Sequence, residues 1–123
     1  MTMCGSKYQG TKEFFLVYAK LITAAQYRGT VNYRQVAKIL GIDQAGNHMA
    51  REVGQVLGEI SEAEHAAGRP MLSALAISSK GFPSEGFFNL ARDLGKFSSD
   101  APEEEKAFWK EEKESVYETW AID

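Results

Sequence analysis

The chain has 123 residues, 44% hydrophobic and 25% charged, which leaves room for one core and argues against a disordered chain. Its net charge of −3 hides an asymmetry: residues 1–60 hold seven Lys/Arg against four Asp/Glu, and residues 61–123 hold seven against thirteen. An acidic balance excludes a protein that grips duplex nucleic acid by bulk charge, but it allows a local basic face on the first half.

Residues 1–10 (MTMCGSKYQG) lack the apolar stretch of a secretory signal and are expected to be flexible. The single cysteine, Cys4, falls within them. One cysteine permits no internal disulfide and fits a reducing, cytoplasmic setting. No apolar run approaches the roughly 18 residues that a membrane span needs.

Thr11 to Arg28 reads as the first helix, with Phe14, Tyr18, Leu21, Ile22 and Ala25 at helical spacing and Gly29 as its stop. Asn32 is a good N-cap for a second helix, and Gln35 three residues on completes a capping box. Val36, Ile39 and Leu40 supply its apolar face and Gly41 ends it. A third helix is predicted from Gln44 to Ala67, with Met49, Val53, Val56, Leu57 and Ile60 on one side. At 100° per residue, Gln44, His48, Arg51 and Gln55 gather on the opposite side, and each can donate hydrogen bonds to base edges or phosphates. Gly54 and Gly58 each cost this helix about 1 kcal/mol relative to alanine, so they are read as a seam where another backbone packs closely.

Met71 to Ser78 reads as a short apolar strand, and Ser79 to Gly86 carries turn chemistry; together they predict a β-wing. Phe87 to Leu94 is a short helix closed by Gly95. Ser98 to Pro102 leads into a last helix ending near Trp120, with proline in its first turn. Phe108, Trp109, Val116, Tyr117 and Trp120 form its aromatic stripe, expected as a lid on the core; its other face is strongly acidic. The predicted fold is therefore α+β and mostly helical. It is a winged helix–turn–helix over residues 31–86 with an added N-terminal helix and a C-terminal aromatic packing helix over 102–120, all in one domain.

The residues of common catalytic sites are missing. His48 and His65 lie 17 residues apart on one predicted helix, roughly 25 Å by the helical rise, too far to share a metal. There is no cysteine pair for zinc and no glycine-rich phosphate loop. Glu103, Glu104 and Glu105 sit at a helix start, where negative charge favours the dipole. No enzymatic activity, cofactor or metal is expected.

From Val31 to Gly86 the sequence resembles the C-terminal winged-helix domain of alkylguanine DNA alkyltransferases and their non-enzymatic alkyltransferase-like relatives. The likeness rests on three pieces in the family's order: Val31-Asn32-Tyr33-Arg34-Gln35-Val36-Ala37, Arg51-Glu52-Val53-Gly54, and Pro70-Met71-Leu72 continuing to Ala76-Ile77-Ser78-Ser79-Lys80-Gly81. The resemblance implies that Tyr33 takes the place of the tyrosine that helps turn a nucleotide out of the helix. Arg51 would take the place of the arginine that fills the gap. It also implies no alkyl transfer, because the acceptor cysteine, its histidine and the next arginine fall at Ser73, Ala74 and Leu75. Outside that stretch, the wording Gly68-Arg69-Pro70-Met71-Leu72-Ser73-Ala74 and Glu85-Gly86-Phe87-Phe88 resembles small bacterial proteins, which implies no function.

The sequence thus predicts a non-catalytic winged-helix module that binds nucleic acid weakly, with DNA as a candidate partner and the third helix in a groove. Tyr33, Arg34, Gln44, His48, Arg51, Gln55 and Lys80 are the expected contacts, Lys80 from the wing, and Arg28 and Lys38 are expected to add backbone contacts. Sequence-independent binding of this kind lies at about 10⁻⁴–10⁻⁶ M at physiological salt. The alternative is a protein-interaction module that docks a partner on the acidic, aromatic C-terminal helix.

Overall fold

A computed structural model describes residues 6–122. The chain is mostly helical with one small sheet: α1 (Lys12–Gln26), β1 (Val31–Asn32), α2 (Tyr33–Ile39), α3 (Asn47–Ala66), a 3-10 turn (Leu72–Leu75), β2 (Ala76–Ile77), α4 (Glu85–Asp93) and α5 (Pro102–Trp120).

The local signals mostly do what their chemistry dictates. Thr11 caps α1 by accepting the Phe14 N–H, and Phe14, Val17, Leu21 and Ala25 are buried along one stripe. The helix closes with the Gly29 N–H on the Ala24 carbonyl and the Arg28 N–H on the Ala25 carbonyl, a Schellman pattern. The left-handed residue of that turn is Arg28 (φ 55°), not the expected glycine. The Arg28 side chain is held by Glu114 at 2.7 Å and lies over the Tyr117 ring, so this cation is committed to α5. At α2 the capping box forms as read: Asn32 Oδ1 accepts the Gln35 N–H at 2.8 Å and Gln35 Oε1 accepts the Asn32 N–H at 2.9 Å.

Two expectations need correction. The third helix begins at Asn47, three residues later than predicted, because Gly46 (φ 143°) has a backbone that no helix can continue through. Gln44 therefore lies in the connection between α2 and α3. The Met71–Ser78 run is not a strand over its length: it makes the buried 3-10 turn and then the two-residue β2, paired in parallel with β1 (Val31↔Ala76, Asn32↔Ile77). Side chains take the backbone groups that a strand would offer to a neighbour. The Met71 N–H donates to Glu112 at 2.9 Å, the Ser73 N–H to Ser61 Oγ at 3.1 Å, and the Ala74 carbonyl accepts Trp109 Nε1–H at 2.8 Å. Beyond β2 the chain turns, with the Ser78 N–H on the Phe82 carbonyl at 3.0 Å, and no antiparallel hairpin forms among the described residues.

The core gathers α1, α3, the 3-10 turn, α4 and α5 around Leu21, Val56, Ile60, Met71, Leu72, Leu75 and Val116. The aromatic stripe of α5 closes it. Trp109 and Tyr117 are buried, Phe108 stacks on Phe97 with centroids 4.5 Å apart, and Trp120 is half-buried beneath the Arg69 guanidinium. Beside this apolar core the Glu64 carboxylate is fully buried, accepting from the Tyr18 hydroxyl and from Arg69 Nε and Nη2. Burial, then the bond to Glu64, raises the Tyr18 phenol to about 12.

The two tryptophans are consequently unequal. Trp109→Ala is expected to cost about 3–5 kcal/mol, the usual range for deleting a buried aromatic, and it strands the Ala74 carbonyl. Trp120→Ala, at a half-exposed site, is expected to cost visibly less. Thermal or denaturant melts of both variants check this; equal losses would contradict it.

Candidate nucleic-acid interface

The two helices expected to bear the interface, α2 and α3, pack against each other. Tyr33 opens α2 and reaches across to the chain before α4, where its hydroxyl oxygen accepts the Ser84 N–H at 2.8 Å. Tyr33 is thus half-buried and anchored at its tip. Its ring forms one side of an open cleft of about 400 Å³ whose other walls include Arg51, Gly54, Gln55, Ser73 and Phe87. Gly54 is exposed, and a Cβ built on it meets nothing within 4 Å. This corrects the reading of Gly54 as part of a packing seam: with Gly58, which is buried, it leaves α3 open to the cleft.

Ser73, which the resemblance would set at the acceptor-cysteine position, sits in this cleft wall but is almost fully buried. Its Oγ accepts from Ser61 Oγ at 2.7 Å. Its sequence neighbours Ala74 and Leu75 are apolar and wholly buried.

The structure brings together only some of the expected contacts. Tyr33, Arg51 and Gln55 share the cleft. Arg34 lines a separate depression of about 390 Å³ with Asn32, Lys38, Asp43 and Met49, beside the first turn of α3. His48 is exposed on that first turn, and Gln44 is exposed in the connection before it. Lys80 is exposed in the turn after β2, not on a wing. Gln55 is only partly exposed, and its Nε2 donates to Glu59 Oε2 at 2.8 Å.

The surroundings of Arg51 are not legible in the sequence. Its side chain is 69% exposed, and its Nε lies 3.8 Å from Glu52 Oε2. The Glu52 carboxylate is itself turned under the N-terminal segment, where it accepts from Lys7 Nζ at 2.5 Å and from the Tyr8 hydroxyl. One heptad on, Glu59 accepts the consecutive backbone N–H groups of Lys7 (2.9 Å), Tyr8 (3.0 Å) and Gln9 (2.7 Å). Residues 7–9, expected to be flexible, are therefore tied to α3; Cys4 and its neighbours lie outside the described residues. The one signal in the sequence is the spacing of Glu52 and Glu59, one heptad apart, which places two carboxylates along one edge of the apolar stripe.

The electrostatics arise from these bonds. The Lys7 ammonium, then the Tyr8 hydroxyl, hold the Glu52 carboxyl below the ordinary glutamate value of 4.5. For Glu59, burial pushes upward, but bonds from Gln55 and the three backbone N–H groups outweigh it, and the net shift is downward. Burial, then the bond to Glu52, raises the Tyr8 phenol to about 12.

Among the described residues no group of three His, Cys, Asp or Glu could hold a metal ion, and no helix is long and apolar enough to cross a membrane. Comparison with protein-family models, with curated proteins and with solved structures gives no match to this chain.

The lowered carboxyl groups set a pH dependence. A depressed folded-state pKa stabilises the fold fully above the unfolded value and loses that contribution as pH falls through the folded value. Docking of residues 7–9 should therefore be complete above pH 4.5 and weaken progressively below it. Melting temperatures of wild type and Glu59→Gln between neutral and acid pH check this. The wild-type curve should fall more steeply below pH 4.5, whereas parallel curves would show that Glu59 is not a linked group.

Proposed function

We propose that the protein is a non-catalytic helix–turn–helix module that binds nucleic acid weakly through α2 and α3. It would resemble the alkyltransferase-like proteins but lack alkyl transfer, with the turn at Lys80 standing where a wing would be. One observation carries this reading. Arg34, Lys38, His48 and Arg51 are all exposed around the N-terminal end of α3, the part of a recognition helix that meets base edges. The acids nearby interrupt this patch little: Asp43 is exposed, but Glu52 is covered and paired with Lys7. The convergence of Tyr33, Arg51 and Ser73 on one cleft supports the family resemblance, since these positions come from its three separate sequence pieces.

The rival reading, a partner docked on the aromatic stripe of α5, has less to rest on. Trp109, Tyr117 and Phe108 are engaged with Ala74, Gly29 and Phe97 within this chain.

Arg51→Ala is the decisive variant. Its side chain is largely exposed, so the fold should change by no more than about 0.5 kcal/mol. Binding should nonetheless weaken by about 1–3 kcal/mol where the guanidinium reads a base edge or an unstacked site. Titration of both proteins against labelled duplex and single-stranded DNA at low salt measures this. No binding by wild type, or equal binding by both proteins, overturns the reading. Incubation with an alkylguanine-containing oligonucleotide should leave the intact mass of the protein unchanged; a mass increase by one alkyl group would show transfer.

A further inference from the structure

The Lys7–Gln9 segment runs along the same stretch of α3 that carries Arg51 and Gln55. It covers two carboxylates there. Glu59 is occupied by three backbone N–H groups and by the Gln55 amide. Glu52 is occupied by the Lys7 ammonium and the Tyr8 hydroxyl, with the Arg51 guanidinium 3.8 Å away on its other oxygen. Both glutamates are more than nine-tenths buried, while the Lys7 and Arg51 side chains are 57% and 69% exposed. Two accessible cations therefore share one covered carboxylate. With the segment lifted away, the same stretch would present two bare carboxylates, of which Glu52 adjoins Arg51.

We propose that residues 7–9 are a charge-masking arm: docked on α3, the arm removes Glu52 and Glu59 from the surface that meets the phosphate backbone, and Lys7 cancels the charge of Glu52 there. The inference rests on the nucleic-acid reading of α2 and α3, and it adds Lys7 as a positioning residue that acts through Glu52. A positive edge next to the recognition helix matters because phosphate neutralisation supplies most sequence-independent affinity. An uncovered carboxylate within a few ångströms of Arg51 would cancel that cation's field and repel the backbone.

The test uses the full chain and three variants: Lys7→Ala, Glu52→Gln and the double substitution. The arm stays attached in all of them through the backbone bonds to Glu59. Two quantities are read: the affinity for a short labelled DNA duplex at low and high salt, and the titration midpoint of the Glu52 carboxyl by carbon NMR where Glu52 is present. Lys7→Ala is expected to weaken binding up to about fivefold at low salt, the worth of one exposed charge pair. The loss should fade at high salt, and the Glu52 midpoint should move up toward its ordinary value. The double substitution should restore wild-type affinity, because neither the charge nor its mask remains.

Three outcomes overturn the proposal. A double variant as weak as Lys7→Ala would mean that Lys7 contacts phosphate itself. An unmoved Glu52 midpoint in Lys7→Ala would mean that the pair does not form in solution. Absence of DNA binding by wild type, with the midpoint shifted as expected, would remove the nucleic-acid reading and the arm's role with it, leaving only the ion pair.

Discussion

The segment from Met71 to Leu75 passes through the middle of the molecule without a sheet to satisfy it. Buried backbone N–H and C=O groups must find partners, and an orphan costs about as much as a lost hydrogen bond. Here the partners come singly from helices on two sides: Ser61 on α3, and Trp109 and Glu112 on α5. These bonds fix how α3 and α5 sit on the turn, and the hydrophobic side chains of Met71, Leu72 and Leu75 then fill the space between them. The placement of α5 in turn sets the end of α1, through Tyr117 on the Gly29 carbonyl and Glu114 on Arg28. The cleft beside Tyr33 is walled by Ser73 of this turn, Phe87 of α4 and the glycines of α3.

Burial of carboxylates is a second constraint on the fold. Glu52, Glu59, Glu64 and Glu112 are all nearly or fully inaccessible, and three of them belong to α3. A buried charge is tolerated only when its lone pairs are met, and breaking such an arrangement costs more than forming it yields. Each glutamate meets this demand differently: a lysine and a phenol for Glu52, a row of backbone N–H groups for Glu59, a bidentate arginine and a phenol for Glu64, and a backbone N–H with Lys96 for Glu112. These contacts give α3 defined neighbours along its length. They also explain how a chain with an acidic total keeps several of its acids off the surface, since these are paired inside the fold.

Much of the secondary structure is legible in the sequence because it is set by local chemistry. The capping box of α2 needs only Asn32 and Gln35, the apolar stripe of α3 only the spacing of Val53, Val56, Leu57 and Ile60, and the entry of α5 only a proline in its first turn. Helix ends are harder to read, since they turn on single dihedral angles: Gly46 delays α3 past Gln44, and Arg28 adopts the left-handed turn in place of Gly29. The run from Met71 to Ser78 reads as a strand but folds otherwise, because hydrophobicity announces burial without saying which groups will satisfy the backbone.

The candidate site divides along the same line. The sequence by itself determined which side chains on α3 lie opposite the apolar stripe, and hence that His48 and Arg51 would face outward, because helical periodicity comes from backbone geometry alone. Only the tertiary structure decided what stands next to them. Lys7 and Glu52 are 45 residues apart in the chain, Tyr8 and Glu59 are 51 apart, and Tyr33 and the Ser84 N–H are also 51 apart. Pairings over such separations depend on how the helices pack, and no local pattern encodes them. The physical reason is that a charge is accommodated by its three-dimensional surroundings, which form only when the chain has folded.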